Sequence, residues 1–297
     1  RRSSDLVELD SVDLYDDIES FLRSGKVDLV SFMDHTPGQG QYRDLLVFGD
    51  TLKGYRDVSD EDVRDIVRQQ QESQKLTYAQ ITALASVARE RGVSIASHDD
   101  DSEDKLAFMD GLEATISEFP ISLDIARAAR ARGMHTIAGA PNVMLGHSHS
   151  GNLSAREAVQ AGAIDVLCSD YYPAALLDAV FTLRDQCGLD IAKAFALVTI
   201  NPAKAAGIAD EVGSIAVGKR ADVLLVREIS CGEGSGEHPV AGPDSRVART
   251  MPVVTRAFVG GRSVFRSHYP DQPRGYGRDT EQLVSLDQLS RPLAKAV

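Results

Sequence analysis

Residues 78–101 read YAQITALASVARERGVSIASHDDD, and the fold can be argued outward from this one stretch. Ile81, Leu84, Ala85 and Ala88 recur at helical spacing and share one face, which predicts a helix over 78–91 with Gly92 as its C-cap. The apolar run 93–97 follows at once and reads as a strand that stops on His98 and three acids. Helix, glycine, buried strand and polar terminus, in that order, form the repeating unit of a parallel sheet.

The same rhythm extends in both directions. Strands are expected at 6–9, 28–33, 93–97, 114–118, 136–139 and 165–168. Helical patterns lie at 16–23, 61–74, 123–132 ahead of Gly133, 155–161 ahead of Gly162, 174–186 ahead of Gly188, and 191–199 ahead of Asn201-Pro202. Such alternation predicts an α/β fold, a (β/α) barrel of the TIM type. After Gly207 the texture changes. Residues 213–226 and 253–265 read as a small sheet with a Gly260-Gly261 hairpin turn, joined through a Gly/Ser/Pro-rich loop over 231–244. The expected division is a barrel over 1–207, a small C-terminal β portion over 208–267 and a tail over 268–297.

Bulk properties exclude several classes of partner. With 44 acidic residues against 32 basic ones the net charge is −12, which repels nucleic acid and anionic membrane. Cys168, Cys187 and Cys231 lack C-x-x-C spacing, which argues against a disulfide framework or a zinc knuckle and fits a reducing cytoplasm. No run approaches the roughly 18 apolar residues of a spanning helix. Arg1-Arg-Ser-Ser-Asp5 does not read as a signal peptide, and the missing initiator Met leaves the native start open.

In a parallel barrel, ligating and reacting groups stand at the C-terminal ends of strands. Four such places carry suitable side chains: Glu8, His35 after Asp34, His98 ahead of Asp99, and Asp170. Imidazole and carboxylate form the ligand set of Zn²⁺ or a similar divalent ion, one or two of which would also acidify water. Taken singly, each has a plainer reading. A histidine at a strand end meets solvent, and Asp170 can cap the helix that follows, as Pro173 can begin it. The ordered set of Glu, His, His and Asp favours the metal centre.

Longer strings strengthen this reading. Met33-Asp-His-Thr-Pro-Gly-Gln39, Ala96-Ser-His-Asp-Asp100, Glu118-Phe-Pro120, Gly139-Ala-Pro-Asn142, His147-Ser-His-Ser-Gly-Asn152, Ser169-Asp-Tyr-Tyr-Pro-Ala174 and Asn201-Pro-Ala203 together resemble a diphosphatase family of the amidohydrolase superfamily. Members of that family act on α-D-ribose 1-methylphosphonate 5-triphosphate in the carbon–phosphorus lyase pathway of phosphonate use. The resemblance runs over about 8–265, and Gly218-Lys-Arg-Ala-Asp222 marks only the wider superfamily.

The resemblance implies a metal-dependent hydrolase with His35 and His98 on one ion, Glu8 bridging two, and Asp170 binding metal and moving the proton of the attacking water. It also implies a phosphorylated small molecule as partner, with self-association left open. Superfamily members place a further His-containing metal pair ahead of Glu8. Nothing in 1–7 supplies it, so the barrel is expected to be incomplete at its N-terminal side.

His147, His149, Ser150 and Asn152 form a loop whose imidazoles and N–H groups suit phosphate oxygens, or else an ordinary turn. Tyr171 and Lys53 are further candidate substrate contacts, along with Arg43 and Arg56, which surface solvation explains equally well. Two alternatives to the triphosphate hydrolase remain: hydrolysis of a C–N bond in a cyclic amide or amino-purine at the same centre, and a non-catalytic remnant that holds no metal pair.

Overall fold

The computed structural model describes residues 3–8, 12–146, 153–230 and 250–267, the first stretch by its backbone alone. Each of the six apolar runs expected as strands forms one. These are β1 (Ser3–Glu8), β2 (Val27–Met33), β3 (Ser94–His98), β4 (Ile116–Glu118), β5 (His135–Gly139) and β6 (Val166–Cys168). They pair in parallel, in chain order, as a six-stranded sheet.

Parallel neighbours require crossovers, and helices supply them. After β1 comes α1 (Tyr15–Arg23), and after β2 come α2 (Leu45–Tyr55), α3 (Asp60–Glu72) and α4 (Tyr78–Glu90). Single helices, α5 (Glu103–Gly111) and α6 (Leu123–Ala131), follow β3 and β4. The pair α7 (Ala140–Leu145) and α8 (Ala155–Gln160) follows β5, and α9 (Ala175–Cys187), α10 (Ile191–Ala196) and α11 (Ile200–Ala205) follow β6. A sheet in which every strand lies beside its predecessor has the winding of a (β/α) barrel, and the described residues contribute six consecutive strands of one.

Strand alternation divides the core into two faces. Val30, Phe32 and Ile95 point outward and pack with Leu22 of α1, Leu84, Ala85 and Ala88 of α4, and Leu106 of α5. Leu29, Ala96, Ile116, Ile137, Val166 and Cys168 point the other way and meet Ala205 of α11. Leu84 and Leu106 are fully buried. Burial of a leucine side chain contributes about 1.5–3 kcal/mol, so this helix layer is what holds the sheet in shape. Polar groups on the outer face are matched. Ser97 and Ser117 both donate to the fully buried Asp100 carboxylate, and Thr136 donates to the Ala163 carbonyl at 2.6 Å.

Four helices were not expected. Of these, α5 hides behind an acidic run that reads as loop, yet Ser102 caps it and Leu106 and Met109 are buried beneath it. The short α7 and α11 offer too few turns for a periodic signal. The stretch 213–226 is only partly strand: 213–222 turns, with Gly213 and Gly218 at φ +88° and +91°, and pairing begins in β7 (Val223–Ser230). β7 pairs antiparallel with β8 (Thr250–Val259), and β8 with β9 (Arg262–Arg266) across the Gly260-Gly261 turn, both glycines at positive φ. No helix among the described residues is long and apolar enough to cross a membrane.

Candidate metal centre

The C-terminal rim of the parallel sheet brings His35, His98 and Asp99 together, each offering one ligand atom within 4.8 Å of the others. His98 closes β3, and His35 stands two residues beyond β2. Their rings meet edge to face at 5.2 Å between centroids. Nε2 of His35 is 3.6 Å from Oδ2 of Asp99, and Nε2 of His98 is 3.9 Å from Oδ1 of the same carboxylate. Asp99 is only 3% exposed, and its Oδ2 has no hydrogen-bond partner among the described residues. A buried carboxylate that faces two imidazoles, one on each oxygen, and has one oxygen without a donor is costly unless something cationic lies beside it. The donor set therefore fits a divalent ion, with both histidines and Asp99 as the residues to hold it.

The surrounding chain shapes this corner. Asp99 adopts the left-handed conformation at φ +51°, held by its N–H on the Glu118 carbonyl at 2.8 Å. Lys105 Nζ donates to the carbonyls of His98 at 2.6 Å and Asp99 at 3.2 Å, pinning the turn. The loop after β2 must pass close by, and Gly40 permits it: a Cβ there would lie 3.2 Å from Asp99 Cβ. Ahead of His35, Asp34 accepts from Lys75 Nζ at 2.9 Å and from the Thr36 N–H at 3.0 Å. Burial alone would raise the Asp34 carboxyl, but bonds from Thr36, Lys75 and Gln39 outweigh it and bring it down to about 2. Burial lifts Asp99 above the ordinary carboxylate range, against the opposing pull of His98, His35 and Lys105.

Two carboxylates complete the acidic interior. Glu118 ends β4, with Oε2 3.1 Å from His98 Nδ1 and 2.5 Å from the Ser31 hydroxyl. Asp170 follows β6 at φ +50°, its carboxylate tucked against Gly139, where a Cβ would come within 3.0 Å of Oδ2. It caps no helix, since α9 begins after Ala174 without a side-chain cap. Burial raises the Asp170 carboxyl, offset by the Tyr171 N–H and by the charge of His98. Burial pushes the Cys168 thiol up to about 12, and the charges of Asp170 and Glu118 add to the effect, so both acids act on the same inner face.

Of the residues singled out in the sequence, His35 and His98 meet, and Asp170 stands outside their group of three, with the charge of His98 opposing the rise of its carboxyl. Glu8 lies at the end of β1 beside Met33 of β2, its side chain outside the described residues. His147, His149, Ser150 and Asn152 also lie outside them. Tyr171 is exposed next to Asp170, and Lys53 is ion-paired with Asp60 at the start of α3. Asp99, Glu118 and Ser31 were missed. Glu118 obeys the strand-end rule that found His98, and Asp99 sits in the acidic run just after it.

Fold and centre together define a (β/α) barrel with a His/Asp cluster at its strand ends whose donors suit a divalent metal. Sequence comparison supplies the family: the model of the amidohydrolase family matches residues 52–264, and the chain belongs to that family. Alpha-D-ribose 1-methylphosphonate 5-triphosphate diphosphatase of Escherichia coli (strain K12) is 39% identical over 215 residues, covering 70% of this chain and 55% of that protein. Dihydroorotase of Methanopyrus kandleri is 38% identical over 87 residues, 24% of this chain and 20% of that one. The chain thus spans about half the length of the first relative and a fifth of the second. A crystal structure of an uncharacterized protein superposes with a TM-score of 0.51 at 13% identity, over 85% of this chain and 60% of the other, a likeness of fold alone.

Proposed function

We propose that the protein is a divalent-metal-dependent hydrolase that splits the anhydride bond between the α and β phosphates of α-D-ribose 1-methylphosphonate 5-triphosphate, releasing diphosphate and the 5-phosphate. The observation that carries the metal-hydrolase part is the buried Asp99 carboxylate at the strand-end rim of the barrel, its Oδ2 unmatched 3.6 Å from His35 Nε2 and its Oδ1 3.9 Å from His98 Nε2. The 39% identical relative supports the substrate.

A divalent ion here, zinc being the ion that imidazole and carboxylate suit, supplies Lewis acidity toward a phosphoryl oxygen and acidifies water. Water adds to one phosphorus of the anhydride while the bridging P–O bond breaks. Asp170, with its carboxyl raised by burial, takes the proton that the water loses and returns it to the departing diphosphate. Tyr171 and the segment 147–152 are the candidates that the sequence offers for substrate contacts. Lys53 reaches a phosphate only by exchanging Asp60 for it.

The test is diphosphate release from the substituted ribose triphosphate by metal-loaded protein, with and without a chelator. Chelator-sensitive release is expected. Turnover of neutral cyclic amides with no diphosphate from the triphosphate would replace this reading with C–N hydrolysis.

A further inference from the structure

Glu118 touches the centre from behind. Its Oε2 lies 3.1 Å from Nδ1 of His98, while Nε2 of His98 faces Asp99. A carboxylate is an acceptor only, so the bond requires the proton on Nδ1, and the neutral ring then carries its lone pair on Nε2. The same Oε2 accepts from Ser31 Oγ at 2.5 Å, and Ser31 is fully buried in β2. Three adjacent strands therefore converge on one oxygen: β2 through Ser31, β3 through His98, and β4 through Glu118 itself. Phe119 also meets the imidazole in an edge-type contact, 5.1 Å between ring centroids.

We infer that Glu118, anchored by Ser31, is a positioning residue that holds His98 in the Nδ1–H tautomer and aims Nε2 into the cation site. This rests on the metal-centre reading above. Glu118 is not a ligand in its own right: it lies outside the group of three whose donor atoms converge, and its Oε2 already accepts two hydrogen bonds. Carboxylate partners of ligating histidines fix the ring and raise its basicity, and their loss typically weakens metal affinity by about 10–100-fold.

The test uses the full chain labelled with ¹⁵N histidine. The His98 tautomer is read from long-range ¹H–¹⁵N spectra of metal-free protein above the imidazole titration, with His98→Ala for assignment. Zn²⁺ affinity is measured alongside by chelator competition. Wild type is expected to show protonated Nδ1. Glu118→Gln, whose amide oxygen can still accept, should keep that tautomer and most of the affinity. Glu118→Ala should move His98 toward Nε2–H and weaken Zn²⁺ by about 10–100-fold. An Nε2–H ring in wild type overturns the inference without any variant. So does a Glu118→Gln protein that loses metal as completely as Glu118→Ala, which is how a direct ligand behaves. If wild type binds no Zn²⁺, the metal-centre reading fails, and the spectra still decide what Glu118 does to His98.

Discussion

The two ends of the parallel sheet each hold a histidine beside an aspartate, and they are built to opposite purposes. At the N-terminal end, Asp165 is saturated. Its Oδ1 accepts the Thr136 N–H at 2.8 Å, and its Oδ2 accepts from Arg130 at 2.8 Å and pairs with His135 Nδ1 at 2.7 Å. At the C-terminal end, Asp99 faces His35 and His98 with one oxygen unmatched. Burial pushes both carboxyls upward. At Asp165 the bonds from His135, Thr136 and Arg130 win and the carboxyl falls below its ordinary range, whereas at Asp99 burial wins and it rises. The same pair of residue types is thus fully hydrogen-bonded at one end of the sheet and left with an unmatched oxygen at the other.

This contrast can be broken experimentally. The largest effect is expected at the rim: His35→Ala and His98→Ala should each abolish nearly all turnover and tight metal binding, measured by elemental analysis and diphosphate release. The accompanying stability cost should be only about 1–2 kcal/mol. Asp165→Asn should do the reverse, costing about 1–2 kcal/mol in denaturant unfolding because Arg130 and His135 lose the charge they pair with, with Zn²⁺ affinity unchanged. Asp99→Asn separates stability from function. Removing an unmatched buried charge should stabilise the metal-free chain by about 1 kcal/mol while weakening Zn²⁺ binding at least about tenfold. A destabilised Asp99→Asn protein with intact affinity would erase the proposed difference between the two ends.

Acid sharpens the same comparison. Because the folded carboxyl of Asp165 sits below its unfolded value of about 3.9, its contribution is complete above that value and disappears as pH falls through the lowered folded one. The stability gap between wild type and Asp165→Asn should therefore hold at neutral pH and close below about pH 4, followed by thermal melts. The smallest effect is expected at Lys53, an exposed partner of Asp60: Lys53→Ala should change KM by less than about fivefold.

Much of this was legible before any coordinates. Helix periodicity over Ile81, Leu84, Ala85 and Ala88, with Gly92 at φ +66° after them, placed α4 and β3 because both signals act between residues a few positions apart. The rule that parallel strands end in chemistry then selected His35, His98 and Asp170. It could not select among the acids of the 99–101 run, since three adjacent aspartates look alike in sequence and go to different places. Asp100 turns under the sheet to Ser97 and Ser117, Asp101 accepts the Gly40 N–H at 3.1 Å, and only Asp99 enters the centre.

The sequence by itself determined the six parallel strands and the helices with a periodic apolar face, and that imidazoles and carboxylates stand at strand ends. Local spacing and glycine placement act within a turn or two of chain. Tertiary structure alone decided that Glu118 grips His98 across a strand boundary 20 positions away, and that Asp99, rather than either neighbour, stands beside both histidines with an oxygen unmatched. Those outcomes depend on the register Ala96↔Ile116 and His98↔Glu118 and on one left-handed residue at a strand end, quantities fixed only when β2, β3 and β4 pair.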